Sequence, residues 1–366
     1  MNKMILANLV HRPVRSVISI IAIAVEVTLI LLIVGLSLGM LNDNKIRQLG
    51  IGADLMLEPP NASLLTGLGG APMPEKIADV LRKLDHVTVV SPVVWQMNTS
   101  GAVEVISGID YNSYNALAPF KFLAGGPFEQ PYDVIVDDYF ATSNNVHVGE
   151  HIKVLGQQEF RVSGIVLHGK GARKFVPIKT LQDMSGAQGK ASIFYIKLDN
   201  PQNVDVVKKE IVDIGLSTYK VLSMAQWLSM MSVGSLPGLS QFITVVISVA
   251  VIIGFIVIFQ AMYTAVMERT REIGILKSLG ASKFYIINVI LRETVVLAIG
   301  GIIVGIGLSV GARRAIHSKL PTLPIQIQVD WIFYAILIAI GGAILGAIYP
   351  AVKAAQKDPI EALAYE

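Results

Sequence analysis

Three groups of residues in this 366-residue chain have types and spacings that could do chemistry. Glu26 is a lone carboxylate midway along an apolar run, VISIIAIAVEVTLILLIVGLSLGML. A charge in such a place costs about 2.5–3.5 kcal/mol on insertion scales, so it is a functional candidate by default. Two readings are open for it. It serves as a charged or protonated group, paired with a second copy or facing a polar cavity; or it is a tolerated polar residue hydrogen-bonded to a neighbouring helix. His147 and His151 stand four apart around Gly149 and Glu150. On a helix that spacing could hold a metal. The flanking residues alternate as strands do and Gly149 favours a turn, so solvated turn histidines and no metal site are expected. The third group is ERTREIGILKSLGAS, residues 268–282, which mixes charge, isoleucine and glycine between two apolar runs. Ile273, Leu276, Leu279 and Gly280 fall on or near one helical face, with Ile275 beside it. Glu268/Arg271 and Arg269/Glu272 are i, i+3 pairs for the exposed side. Gly280 is a helix stop and Ser282 an N-cap for the next apolar run. A short amphipathic helix at a membrane surface is predicted, serving either as a plain linker whose basic residues set topology or as a handle for a partner.

No catalytic residue is assigned. The chain lacks the G-x-x-x-x-G-K-[ST] loop that cradles ATP, lacks H-E-x-x-H, and has no cysteine for a nucleophile, a disulfide or a thiolate metal site. The net charge of +3 makes no case for nucleic acid.

The elements that must position these residues can be read from composition. The chain is 53% hydrophobic and only 16% charged, against about a quarter charged in soluble chains. Four segments have the roughly 20 apolar residues a bilayer crossing needs: 14–41, 242–267, 286–310 and 331–352. The predicted fold is therefore a membrane protein of four transmembrane α-helices, one plus three, meeting lipid on their outer faces. A large α+β extracytoplasmic domain, residues 42–241, is predicted between the first and second. The first run is far longer than a signal-peptide core, so it is read as a retained span. With the N-terminus inside, Lys3, Arg12, Arg15, Arg269, Arg271, Lys277, Lys283, Arg292, Lys353 and Lys357 lie inside, and only Arg313, Arg314 and Lys319 lie in the short outer loop, 311–330. The positive-inside rule then places both termini, 1–13 and 353–366, in the cytoplasm and the large domain outside. Trp331, Phe333 and Tyr334 fit an outer aromatic belt, and Phe284 and Tyr285 an inner one. Gly301/Gly305, Gly307/Gly311 and Gly342/Gly346 are small-xxx-small pairs, for packing within one subunit or for a dimer seam.

In the large region, 87–95, 102–110 and 191–199 read as strands. Residues 74–85 and 203–215 read as helices. A βαβ-type platform is expected, with a mostly β insertion over about 120–190, in which 146–166 form two strands around a turn at Gly156. Residues 59–74, PPNASLLTGLGGAPMP, form either a flexible connector or a hydrophobic lip. No repeat of fixed period is evident.

Residues 268–281 resemble the motif after the second span of FtsX/MacB-type ABC transporter permeases, roughly E-R-x-x-E-I-G-x-L-[KR]-x-[IL]-G-A. Glu268, Arg269, Glu272, Ile273, Gly274, Leu276, Lys277, Gly280 and Ala281 match it. YPAVKAAQKDPIEAL, 349–363, is similar to the family's closing motif through Pro350, Ala351, Ala354, Asp358, Pro359, Ala362 and Leu363. NLVHRPVRSVIS at the start resembles the family's entry into the first span. GADLMLE and the 146–166 stretch resemble its MacB-like domain.

The resemblance implies a permease that works as a dimer, expected to be a homodimer, with a pair of ABC ATPase subunits. The ATPase is expected on a separate chain, so this chain binds no cofactor while ATP and Mg are used by the partner. Residues 268–285 would be the coupling helix, with Arg271 among its contacts, and 350–363 a second contact. ATP-driven motion would pass through the spans to the outer domain, a mechanotransmission. Three roles remain open. The first is export of amphipathic or lipid-linked cargo, in a DevC-like layout with a periplasmic membrane-fusion adaptor and outer-membrane channel. The second is FtsX-like switching of a periplasmic partner such as a cell-wall hydrolase. The third is lipoprotein release of the LolC type.

Overall fold

The structure is a computed structural model that describes residues 13–60, 73–98, 104–235 and 238–358. Two compact units share the chain. One holds the helix residues up to Gly39, then Gly238–Ser318 and the residues from Ile325 on; the other holds Met40–Pro237 with Lys319–Pro324.

The first helix, α1 (Pro13–Leu49), has 37 residues, about 55 Å at 1.5 Å per residue. It runs past the expected limit at Leu41. Residues 42–49 are polar but contain no glycine or proline, and Arg47 reaches back to Asp43 at 3.1 Å in an i, i+4 pair.

The large domain is built from β1 (Leu55–Glu58), β2 (Met73–Pro74), α2 (Ile77–Leu81), β3 (Val87–Asn98), β4 (Glu104–Ile109) and α3 (Tyr111–Leu117). Its middle adds β5 (Phe122–Gly125), β6 (Asp133–Asp137), α4 (Asp138–Asn144), β7 (His151–Leu155), β8 (Gln158–Val166), β9 (Lys174–Pro177) and α5 (Ile178–Ser185). It closes with β10 (Lys190–Ala191), β11 (Ile193–Leu198), α6 (Val204–Ile211), β12 (Lys220–Ser223) and α7 (Met224–Met230). Nine strands lie in the order β12-β1-β11-β3-β4-β9-β6-β8-β5, and β7 joins β8. The pairs β12–β1, β1–β11 and β11–β3 are all antiparallel. Hence β1 and β3 run parallel with β11 between them, and β11 and β12 run parallel with β1 between them. Each strand–helix–strand grouping is thus a split unit. Its helices α2 and α6 bury Ile77, Leu81, Val207 and Ile211 against Leu55, Leu57, Val90 and Phe194 of the sheet.

The expected mostly β stretch, about 120–190, holds β5 to β9 and the two short helices α4 and α5. The β3–β4 pairing carries the platform's sheet onward, so residues 104–177 extend one sheet. They also contain α4 and are followed by α5. Asp137 caps α4 by accepting from the Phe140 N–H at 2.7 Å, and Asn145 ends it in the left-handed region at φ 52°. Helices of seven or eight residues make two turns at most, too few to establish a period beside strands rich in Val and Ile. The helix expected over 74–85 is only Ile77–Leu81, because Met73–Pro74 pair with β10. That expected over 203–215 ends at Ile211 and unwinds into a wider turn around Gly215, φ 89°. Most of the loop 59–74 lies outside the described residues.

The remaining helices are α8 (Leu239–Glu268), α9 (Thr270–Ser278), α10 (Lys283–Lys319) and α11 (Val329–Gln356). Like α1, three of these are long and apolar enough to span a membrane: α8, α10 and α11. The third span runs nine residues beyond its expected end at Val310, through Arg313 and Arg314 to Lys319. The glycine pairs decide how the helices approach. A Cβ on Gly301 would stand 2.6 Å from the Ile23 Cβ and 3.0 Å from the Ile20 carbonyl oxygen of α1, and one on Gly305 2.8 Å from the Ala24 oxygen. Thr28 Oγ1 also donates to the Gly305 carbonyl at 3.1 Å. A Cβ on Gly346 of α11 would meet the Phe255 carbonyl of α8 at 3.0 Å. These two pairs therefore pack helices within one chain, whereas Gly307 and Gly311 face open space. Gly301→Val should destabilise the detergent-solubilised protein by about 1–3 kcal/mol through overpacking, while Gly307→Val, with the same change in helix propensity, should not. Equal thermal unfolding midpoints for the two variants would contradict this packing.

Candidate functional site

The charged segment between the second and third spans forms a compact corner. α8 stops at Glu268, and Arg269 breaks the helix at φ −106°, ψ 15° before α9 begins. α9 ends in a Schellman turn: the Gly280 N–H donates to the Lys277 carbonyl and the Ala281 N–H to the Leu276 carbonyl, both at 3.0 Å, with Gly280 at φ 96°. Ser282 then caps α10, its Oγ accepting from the Tyr285 N–H at 3.2 Å. Both punctuation residues act as their types predict.

Two side chains tie α9's ends to other helices. Arg269, half-buried, makes a two-pronged ion pair with the buried Glu293 of α10, at 3.0 and 3.4 Å. This replaces the expected Arg269/Glu272 pair. The break at Arg269 takes that residue off the helical register, so i, i+3 spacing no longer applies. Lys277 Nζ donates to the Ala355 carbonyl at 2.9 Å and to the Lys357 carbonyl, at the C-terminal end of α11. A cation there also suits the negative end of the helix dipole. Gly274 is buried, and Ile273 and Leu276 are half-buried beside a cavity of about 110 Å³ that Met262, Tyr285, Arg269 and Glu293 also line. Leu279, predicted on the same face, is instead 80% exposed, since the chain has left the helix by then. The outward surface of the corner holds Glu268, Arg271, Glu272, Ile275, Leu279 and Gly280.

The closing motif forms the end of α11. Pro350, Ala351 and Ala354 are buried, Asp358 is exposed just beyond the helix, and Pro359, Ala362 and Leu363 lie outside the described residues. Lys353 donates to the Tyr263 hydroxyl of α8 at 3.2 Å. Hence α8, α9, α10 and α11 meet through Arg269, Glu293, Lys277 and Lys353. Sequence reasoning does not single out Glu293. A carboxylate inside the third helix's apolar pattern is the signal that could have found it, since such a group needs a cation.

Elsewhere, Glu26 is buried inside the helix bundle. His147 and His151 flank a turn at Gly149, φ 92°, and His147 Nδ1 pairs with Glu150 at 3.3 Å. The spacing G-x-S-x-G, a mark of some hydrolases, occurs at 35–39 and 307–311. Both copies are helical, and Ser37 and Ser309 donate back to the Ile33 and Gly305 carbonyls, at 2.9 and 2.7 Å. Neither forms the strand-to-helix elbow that exposes a nucleophile.

A second charged cluster, equally silent in the sequence, sits in the large domain's unit. Arg173 bridges Asp137 at 3.1 Å and Asp43 at 3.0 Å, and donates to the Thr322 carbonyl at 3.3 Å. Arg47 donates to the Gly171 carbonyl and accepts from the Gly171 N–H through its own carbonyl. A Cβ on Gly50 would lie 1.7 Å from the Gly169 oxygen, so only glycine allows this approach. The end of α1 and residues 319–324 are thus gripped by the loop before β9. Burial pushes the Asp137 carboxyl up to about 6, against the pull of Arg173 and the Phe140 N–H. Burial over the Phe120 and Tyr114 rings pushes the Lys170 ammonium down to about 8, helped by Lys197.

The chain is similar to known proteins. The family description MacB-like periplasmic core domain matches residues 16–214, more than half of the chain. FtsX-like permease C-terminal matches residues 244–359. The uncharacterized ABC transporter permease YknZ of Bacillus subtilis is 27% identical over 225 residues, 60% of this chain and 55% of that protein. The macrolide export ATP-binding/permease protein MacB of Acinetobacter baylyi is 24% identical over 323 residues, 79% of this chain and 47% of that protein. The chain thus spans about half the length of these relatives. The periplasmic region of MacB from Actinobacillus actinomycetemcomitans is similar at 16% identity and a TM-score of 0.40, covering 48% of this chain and 91% of that one. With its four membrane helices and the α+β domain between the first two, the chain belongs to the FtsX/MacB-type ABC transporter permeases.

Proposed function

We propose that the chain couples ATP hydrolysis by a partner ATPase to movement of its large domain, and that this movement drives export of amphipathic or lipid-linked cargo. The single observation that carries the coupling role is the construction of α9. Arg269–Glu293 and Lys277 tie its two ends to α10 and α11, and its outer surface leaves Ile275 and Leu279 uncovered. A push on that surface would be passed to three membrane helices at once. ATP and Mg²⁺ are, in this reading, used by the partner ATPase. In this reading both termini and α9 face the cytoplasm and the domain faces the periplasm, with a second permease copy beside the first. Within the large domain's unit, Arg173 holds Asp43 at the end of α1 and the Thr322 carbonyl together.

The export reading leans on the MacB-like domain. A periplasmic adaptor and an outer-membrane channel are its further partners. The test is affinity purification of the tagged, detergent-solubilised chain, with mass spectrometry of what co-elutes. The expected result is an ABC ATPase together with a membrane-fusion adaptor, the ATPase being lost when Leu279→Asp places a charge on the docking surface. An ATPase that arrives with a cell-wall hydrolase would replace export with regulation. An ATPase retained by Leu279→Asp would move the docking surface away from α9.

A further inference from the structure

The buried carboxyl in α1 has an environment that the coupling role does not explain. Glu26 is only 5% exposed. Its Oε1 is buried without a hydrogen-bond partner among the described residues. Its Oε2 lies against α8 at Gly254, where an added Cβ would stand 2.0 Å away. On the α11 side, a Cβ on Gly342 would come within 3.9 Å of Oε1. Gly254 therefore leaves the space that the carboxyl group fills, and Gly342 borders it.

No countercharge is at hand. Within 16–42, 240–262, 294–312 and 335–348, the middle stretches of the four spans, Glu26 is the one ionisable side chain. A metal cation would need several oxygen ligands, and the nearest hydroxyl along α1, Thr28 Oγ1, is already committed to the Ala24 and Gly305 carbonyls at 2.6 and 3.1 Å. An ionised carboxylate buried without a partner is costly, and such a group neutralises instead.

We propose that Glu26 is a proton-binding site in the core of the helix bundle. The packed helices hold it as the neutral acid, and a movement of α1 away from Gly254 and Gly342 that admits water releases the proton. The ligand class is the proton itself, and the switch is the packing of α1 on α8 and α11. This goes beyond the ATPase-coupling reading and does not depend on it.

Infrared spectroscopy of the full-length protein in lipid bilayers at neutral pH tests the proposal. The expected result is a carboxylic C=O band, above the amide band, that shifts when glutamate carboxyls are labelled with ¹³C and disappears in Glu26→Gln. Because the carboxamide is the isostere of the neutral acid, Glu26→Gln should also keep the wild-type thermal midpoint. Gly254→Val, which forces α8 off the carboxyl, should abolish the band. Absence of any protonated glutamate band from the wild-type protein at neutral pH would overturn the proposal, and so would its persistence in Glu26→Gln. A band unchanged in Gly254→Val would overturn the link to packing.

Discussion

Arg269→Met should lower the stability of the solubilised protein by about 3–5 kcal/mol, the cost of breaking a buried ion pair by removing one partner. The partner is Glu293, whose side chain is 4% exposed and which holds Arg269 in two contacts at 3.0 and 3.4 Å. Glu293→Met should cost a similar amount for the mirror-image reason. Replacing both removes the stranded charge, so the double variant should recover most of the loss, because apolar replacement of a whole buried pair is often neutral. A double-mutant cycle in a chemical denaturation series measures this. Additive losses would mean that the two residues do not depend on each other. The pair also joins the end of α8 to α10 beside α9, so the double variant should fold well and still transmit ATPase-driven motion poorly. That outcome would separate a role in stability from the proposed role in coupling.

Arg173→Met should have an effect of the same size on the large domain, again about 3–5 kcal/mol, because it leaves the buried Asp137 carboxylate without its cation, while Asp43 keeps Arg47. Asp137 is 2% exposed at its side chain and Asp43 12%, and both lie within 3.1 Å of the guanidinium. The loss should depend on pH. Folding raises Asp137 from 3.8 to about 6, so the folded state holds its proton more tightly than the unfolded chain does. Whatever stability this group contributes is present at low pH and is lost as pH rises through that window. Removing Arg173 takes away the pull that keeps the carboxyl from rising further. The variant should therefore be closer to wild type at pH 5 than at pH 8, read as the difference in unfolding midpoint. A difference that is constant over that range would contradict the assignment. Met also keeps much of the bulk, which limits the packing change over Tyr139.

The parts of the fold that were legible share a cause: the signal was local. Four apolar runs declare four spans because a bilayer asks only for length and apolarity. Gly280 and Ser282 declare the end of α9 and the start of α10 because caps are read from single residue types. The alternation in 146–166 declares β7 and β8 around Gly156. What stayed hidden was set by pairing over distance. Arg269 finds Glu293 across 24 residues, and Asp43 finds Arg173 across 130. Nothing near either arginine announces its partner. Local spacing gave Arg269 the wrong one, because the helix break falls on that residue. The continuity of the sheet through β3, β4 and β9 is likewise a matter of long-range register, so a separate insertion is the natural expectation from strand lengths alone. Helix ends past the apolar limit, at Leu49 and Lys319, escape the sequence reading because polar residues that favour helix leave no hydropathy signal.

In the proposed coupling, the surface of α9 and the turn after it touches an ATPase. The sequence contains no cysteine, so a single Leu279→Cys places one thiol on that surface. We would treat membranes of cells carrying the tagged variant with a short thiol-to-amine cross-linker, purify the chain under denaturing conditions, and identify the adduct by mass spectrometry. Leu123→Cys, also on an exposed leucine but in the large domain, is the control. An ABC ATPase should be joined to position 279 and none to position 123. An ATPase joined to position 123, or none joined to position 279 while the ATPase still co-purifies with the uncross-linked protein, would contradict it.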